Sequence, residues 1–210
     1  MTTGTPLYTL HERIWHWLQA AVMILLIVSG FTIHYPDRFG IFGSMAFAIT
    51  VHTWLAGALI VNAFLGAFYH LTAEKYHHYL PGMEDFTGAA LHQARFYVYG
   101  IFKGEKHPLE TDPRRKLNAL QKITYLALLN VLLPYQIVTG ALLWGEDRWP
   151  KLFDSIGGLW VLGPAHTLGA YLFLAFLIGH IYLATTGSTP ASLLRAITTD
   201  PLHPPEATSE

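Results

Sequence analysis

The sequence predicts an all-α integral-membrane protein, a four-helix bundle with both termini on the cytoplasmic side. Three observations carry that expectation. Hydrophobic residues make up 52% of the 210-residue chain, and Asp, Glu, Lys and Arg only 13%, against ~25% charged in an ordinary soluble domain. The charges avoid four windows, residues 14–36, 39–73, 123–145 and 155–194, each with room for the roughly 20 residues of a spanning helix. Lys and Arg gather between the second and third windows, which by the positive-inside rule places that connection and both ends in the cytoplasm.

The first helix is expected over residues 14–34. It is longer than a signal-peptide core and ends in Thr32-Ile33-His34-Tyr35-Pro36, without a small-residue cleavage pattern. The second is expected over 45–69, the third over 121–144 and the fourth over 162–185. Pro134 falls inside the third and should kink it, because it lacks an amide donor and crowds the preceding turn. Short segments join helices one and two, and three and four.

Residues 70–120 separate helices two and three. They carry Lys75, Arg95, Lys103, Lys106, Arg114, Arg115 and Lys116, with Lys122 just beyond. The short connections hold only Arg38, and then Arg148 and Lys151 among Glu146, Asp147 and Asp154; Arg13 and Arg195 flank the termini. Within the long connection, residues 89–103 mix aromatic and aliphatic side chains with Gln93, Arg95 and Lys103. That composition suits a helix lying in the membrane interface and equally a folded loop packed on the bundle. Residues 1–186 are expected to form one transmembrane domain. A short cytoplasmic tail follows over 187–210, irregular because it is rich in Pro, Ser and Thr. The net charge of −1 offers no basic surplus for nucleic acid; the partner surface is the lipid bilayer.

The chain has 12 histidines and no cysteine. It therefore cannot attach a c-type haem, ligate an iron–sulfur cluster through thiolates or form a disulfide. His166 and His180 lie fourteen residues apart in one charge-free window. On a helix that is a rise of about 21 Å, with a rotation only some 40° short of four turns. An apolar slab of about 30 Å thus holds two imidazoles on one side of a helix, one near each surface. Ionisable groups at such depth point to function.

Depth assigns the partners. Helix one runs outward with His16 near its cytoplasmic start, and helix two runs inward with His52 near its outer start. Two imidazoles at each of two levels, each pair from different helices, are what two haems b stacked across the bilayer require. The inner haem would take His16 and His180, the outer His52 and His166. A bare metal ion would instead want three or four ligands at one depth, often with carboxylates, and the windows contain none. Gly30 follows His16, and Gly66 follows His52, by fourteen residues. Each glycine then sits at the level of the other haem, where a porphyrin edge needs a missing side chain; close helix packing is the competing explanation. Gly140, Gly169 and Gly179 are weaker candidates for the same role. His34 and His70 lie eighteen residues beyond His16 and His52, about 27 Å along a helix, and should be interfacial. There His34 could reach a propionate or relay protons. His70, His77 and His78 read as a solvated surface cluster, while His11, His92, His107 and His203 have no visible partner set.

On these residues the chain resembles the di-haem cytochrome b subunits that anchor bacterial respiratory oxidoreductases. Examples are the gamma subunit of formate dehydrogenase, the thiosulfate reductase cytochrome b subunit and hydrogenase b-type cytochromes. The resemblance spans roughly residues 8 to 200. It rests on Arg13-Ile14-Trp15-His16-Trp17, Ser29-Gly30, His52, and His166 with thirteen residues before His180. Lys116-Leu117-Asn118-Ala119-Leu120-Gln121-Lys122 is similar to the segment entering helix three of the formate dehydrogenase subunit. There an asparagine helps form a quinone site beside the cytoplasmic haem, so the resemblance implies that role for Asn118, with His180 lining the same pocket. An amide can hydrogen-bond a quinone carbonyl; Asn is equally favoured as a helix N-cap. Residues 77–105 match nothing in the resemblance.

The expected function is electron transfer across the bacterial inner membrane, between the quinone pool and a partner redox subunit. That partner would bear an iron–sulfur cluster or c-type haem and bring its own catalytic subunit. Three alternatives stand beside it: a free-standing di-haem quinone oxidoreductase with a small soluble electron donor, a histidine-lined metal transporter, and a haem-free structural anchor, against which the depth-matched histidines argue.

Overall fold

The computed structural model describes residues 8–72, 81–83, 85–105, 118–187 and 189–198. Lys75, Lys106, Arg114, Arg115, Lys116, Leu117, His77, His78, His107, His203 and most of the expected tail lie outside them. Among the described residues every regular element is helical. Four helices are long and apolar enough to cross a membrane: Leu10–His34, Met45–Tyr69, Ala119–Trp144 and Gly158–Ala184. At most 22% of the most apolar stretch of each is buried within the protein. Trp54, Phe64, Val131 and Ile178 are among the apolar side chains left exposed. Apolar surface on that scale needs a lipid solvent. This is an all-α membrane fold, compatible with a four-helix bundle.

Helix α1 (Leu10–His34) begins a turn earlier than its charge-free window. Thr9 and Glu12 form a reciprocal capping box that ties down the first amides, so charged residues enter the helix without loss. Helix α2 covers Met45–Thr72, which places the backbone of His70 inside the helix. Helix α3 (Ala90–Val98) follows a π-helical turn, Asp85–Ala89, and leads into a 3-10 turn, Gly100–Lys103. Helix α4 (Ala119–Ala127) passes through a π turn, Leu128–Leu132, into α5 (Leu133–Trp144). A short α6 (Pro150–Ser155) precedes α7 (Gly158–Ala184), and α8 spans Ser192–Thr198.

Packing divides the chain into two compact units. The first comprises Met1–Asn62 with Tyr171–Glu210. Within it, the Trp15 indole donates to the Asn62 carbonyl at 3.3 Å, and the Asn62 amide donates to Gln19 Oε1. Near the other end of α1, the hydroxyls of Tyr35 and Tyr171 meet at 2.8 Å. Where an irregular tail was expected, α8 forms and docks on the start of α1. Its last carbonyls accept the Trp17 indole N–H (Ile197 O, 3.3 Å) and an Arg13 N–H (Thr198 O, 3.5 Å). Those donors satisfy groups that would otherwise be orphaned at the helix end, and Ala196 is 1% exposed.

The second unit is Ala63–Ala170. It contains residues 89–103. The segment is helical, and Gln93, Phe96 and Tyr97 are buried, while Leu91, Val98 and Phe102 are exposed. Gln93 Oε1 accepts the Leu120 amide at 2.9 Å and so helps cap α4. Lys122 pairs with Asp85 at 3.2 Å in a largely buried ion pair. At the surface, Arg95 grips Glu105 through two bonds of 3.0 Å. That carboxylate raises the guanidinium pKa further above its ordinary value, first by hydrogen bonding and then by charge.

Candidate functional site

The four spanning-helix histidines occupy two kinds of setting. In the first unit, His16 of α1 and His180 of α7 approach with ring centroids 6.1 Å apart and planes tilted by 43°. Two imidazoles bound to opposite sides of one metal stand about 6.2 Å apart, from bonds of about 2.0 Å and ring radii of about 1.1 Å. Trp17 packs edge-on to His16 at 5.2 Å, and Phe176 stacks on His180 at 5.7 Å. His16 Nδ1 is buried with no hydrogen-bond partner among the described residues. Leaving a buried polar nitrogen unpaired is costly.

His52 lies in the first unit, on α2. Its Nδ1 is 2.8 Å from Ser29 Oγ, and a Cβ built on Gly30 would sit 3.5 Å from its Cε1. His166 lies in the second unit, on α7. Its Nδ1 is 3.0 Å from Thr139 Oγ1, and its Nε2 is 3.1 Å from the Gln136 amide nitrogen. A Cβ on Gly140 would fall 3.0 Å from its Cε1, closer than a side chain tolerates without displacement. Each of these histidines therefore meets a hydroxyl-bearing residue followed directly by glycine, Ser29-Gly30 on α1 and Thr139-Gly140 on α5. Sequence reading singled out Ser29-Gly30 but missed Thr139 and Gln136, although the repeated dipeptide was the available signal.

The remaining predicted positions are less uniform. Gly66 is buried on α2. Gly169 faces the Gln136 side chain, and Gly179 faces nothing within 4 Å. His34 is exposed at the end of α1, with its ring edge-on to Tyr35 at 4.4 Å. Asn118 is the N-cap of α4: its Oδ1 accepts the Gln121 amide at 2.8 Å, and the Gln121 side chain returns a bond to the Asn118 amide at 3.0 Å. Its Nδ2 points to the Tyr97 hydroxyl at 3.4 Å. Capping thus engages the carbonyl end of the amide and leaves the donor end directed at the Tyr97 hydroxyl, a contact that sequence reading did not foresee.

Among the described residues no three His, Cys, Asp or Glu side chains converge as a bare-metal site. A pair of facing imidazoles fits haem iron, whose other four ligands come from the porphyrin. The model of the prokaryotic cytochrome b561 family matches residues 7–200. The chain belongs to the prokaryotic cytochrome b561 family. It is a b-type cytochrome whose function is transmembrane electron transfer, and the family implies haem b as its cofactor.

Curated relatives agree with the family assignment. This cytochrome is 32% identical over 194 residues to a protein of Escherichia coli K12 named cytochrome YdhU, covering 91% of this chain and 72% of the relative. It is 25% identical over 206 residues to YedZ1 of Azospira oryzae, named a protein-methionine-sulfoxide reductase subunit, covering 91% and 96%. A Bradyrhizobium diazoefficiens protein named a Ni/Fe-hydrogenase B-type cytochrome subunit is 26% identical over 205 residues, covering 86% and 79%. No solved structure matches.

Proposed function

We propose that this cytochrome carries electrons between the quinone pool and a partner redox subunit, as the membrane anchor of a respiratory oxidoreductase in the bacterial inner membrane. Two haems b are assigned, the inner to His16 and His180, the outer to His52 and His166. The observation that carries this reading is the approach of the His16 and His180 rings to 6.1 Å between spanning helices. The outer assignment is supported by matched sequence depth and by the spacing of His166 and His180 along one continuous helix.

Haem bound at these positions supplies a one-electron couple whose potential is set by its axial ligands and their surroundings. The protein does the rest. Its apolar spans keep water from the imidazoles, and its helices hold paired ligands at two levels. Asn118 would use its amide N–H to orient a quinone carbonyl while its Oδ1 caps α4. The chain has no cysteine, so an iron–sulfur or c-type relay must reside in the partner. Relatives named as subunits of a hydrogenase and of a methionine sulfoxide reductase support such an assembly. Cytoplasmic termini follow from the basic residues of the long connection.

The deciding experiment is a haem assay and a dithionite-minus-oxidised spectrum of the purified full chain. Two haem b per polypeptide, both reoxidised by a quinone analogue, are expected. A colourless preparation made with ample haem supply, or one carrying zinc or copper in place of haem, would overturn the reading.

A further inference from the structure

We infer that Ser29 and Thr139 are positioning residues for His52 and His166, each hydroxyl accepting the imidazole Nδ1–H and leaving Nε2 unprotonated, as the atom through which the ring would bind iron. This rests on the proposed role of those two histidines as axial ligands.

The hydrogen bonds fix the direction of each contact. A hydroxyl has one proton to donate and two lone pairs. Ser29 Oγ lies 2.7 Å from the Leu25 carbonyl and 3.2 Å from that of Leu26, and carbonyl oxygens only accept. Its single proton is therefore committed to its own helix. Toward His52 Nδ1, 2.8 Å away, the oxygen can only accept. The proton on that contact belongs to the imidazole, so the neutral ring carries its lone pair on Nε2.

Thr139 repeats the arrangement on another helix. Its Oγ1 donates to the Tyr135 carbonyl at 2.9 Å, with Gln136 O at 3.2 Å, and accepts from His166 Nδ1 at 3.0 Å. A second contact reaches the same conclusion independently. The Gln136 amide nitrogen donates to the His166 carbonyl at 3.2 Å, which settles which end of the amide faces the histidine. That nitrogen also lies 3.1 Å from His166 Nε2 and has no lone pair to offer, so Nε2 is the acceptor, and iron bound there would have to take the place of the Gln136 amide. Ser29 is 0% exposed and Thr139 7%, so water does not compete for either bond. By contrast, His16 Nδ1 has no such partner among the described residues.

A ligand imidazole whose N–H is hydrogen-bonded is oriented and made more basic, and loss of such a partner typically costs about 10–100-fold in metal affinity. Greater basicity favours ferric over ferrous iron. Ser29 and Thr139 should therefore hold the outer haem at a lower potential than it would have without them.

The test is potentiometric titration of haem-loaded, full-length Thr139→Val, Thr139→Ser and Ser29→Ala variants, and of the Ser29→Ala/Thr139→Val double variant. Thr139→Val keeps the shape and removes the hydroxyl. It should shift the ferric-to-ferrous equilibrium of one haem about tenfold toward ferrous, a rise of about 59 mV for one electron. Thr139→Ser should stay near wild type. Ser29→Ala should raise the same haem, and the double variant should raise it further. Loss of that haem in Thr139→Val but not in Thr139→Ser would support the inference as well. Wild-type potentials in fully loaded Thr139→Val and Ser29→Ala proteins would overturn it, as would equal shifts in Thr139→Ser and Thr139→Val. A wild-type chain that binds no haem would instead overturn the ligand assignment beneath it.

Discussion

At the residue scale, His16 and His180 are paired by contact, and their roles can be separated from those of the other two histidines. Replacing His180 with Ala is expected to remove the inner haem and leave the outer one bound. A redox difference spectrum with the haem assay checks this, and two full haem equivalents with unchanged ligation would break the pairing. Asn118 asks for a subtler substitution, because it caps α4 as well as facing Tyr97. Asn118→Ala would confound the two roles by removing a cap, at a cost of about 1 kcal/mol. Asn118→Asp keeps an acceptor at the N-cap and places a negative charge where the helix dipole welcomes it, but removes the amide donor. It should lower quinone turnover severalfold with haem content and Tm preserved. Wild-type rates at every quinone concentration would remove Asn118 from the quinone site.

At the element scale, the third span shows how a membrane helix accommodates proline. Pro134 cannot donate to the carbonyl a turn earlier, and the chain responds with the π turn at Leu128–Leu132 immediately before it. Asn130 Nδ2 donates to the Leu126 carbonyl at 3.0 Å and satisfies a backbone acceptor in the loosened turn. An exposed Asn in an apolar span thus has a local reason to be there. Asn130→Leu should destabilise the span by about 1 kcal/mol, measurable as a lower Tm in detergent without loss of haem. The glycines of α1 and α5 can be ranked in the same way. A methyl at Gly140 would press on His166 at 3.0 Å, whereas at Gly30 it would make ordinary contact with His52 at 3.5 Å. Gly140→Ala should therefore perturb the spectrum of the outer haem more than Gly30→Ala does. The reverse ranking would mean that the porphyrin, rather than the imidazole, requires the clearance.

At the scale of the whole molecule, charge decides orientation. Ten of the 13 basic residues lie in the connection between the second and third spans or near the two ends, where a cytoplasmic leaflet would hold them. Reporter fusions in whole cells provide the check: a reporter active only in the periplasm should be silent after residue 198 and active between the third and fourth spans. Activity at the C-terminal fusion would invert the topology and exchange the inner and outer haem assignments. The exposed apolar surface of the spans belongs to lipid, and the packed face of α3 belongs to α4.

How much of this was legible in the sequence differs from one feature to the next. Spanning helices are written in composition, because desolvating a charge in hydrocarbon is costly enough to leave windows visible to the eye; all four were expected within a few residues. Their ends were less clear, since the Thr9–Glu12 box and the Asn118–Gln121 box extend helices into charged sequence through side-chain hydrogen bonds. Helical periodicity alone likewise put His166 and His180 on one side of α7, fourteen residues apart. Only the folded chain could show that α8 docks through Trp17 and Arg13, that Gln93 reaches across to cap α4, or that Ser29 and Thr139 hold histidines 23 and 27 residues away. The physical reason is range: solvation and helical pitch act residue by residue along the chain, whereas a hydrogen bond between helices exists only once packing has brought its two ends within 3 Å.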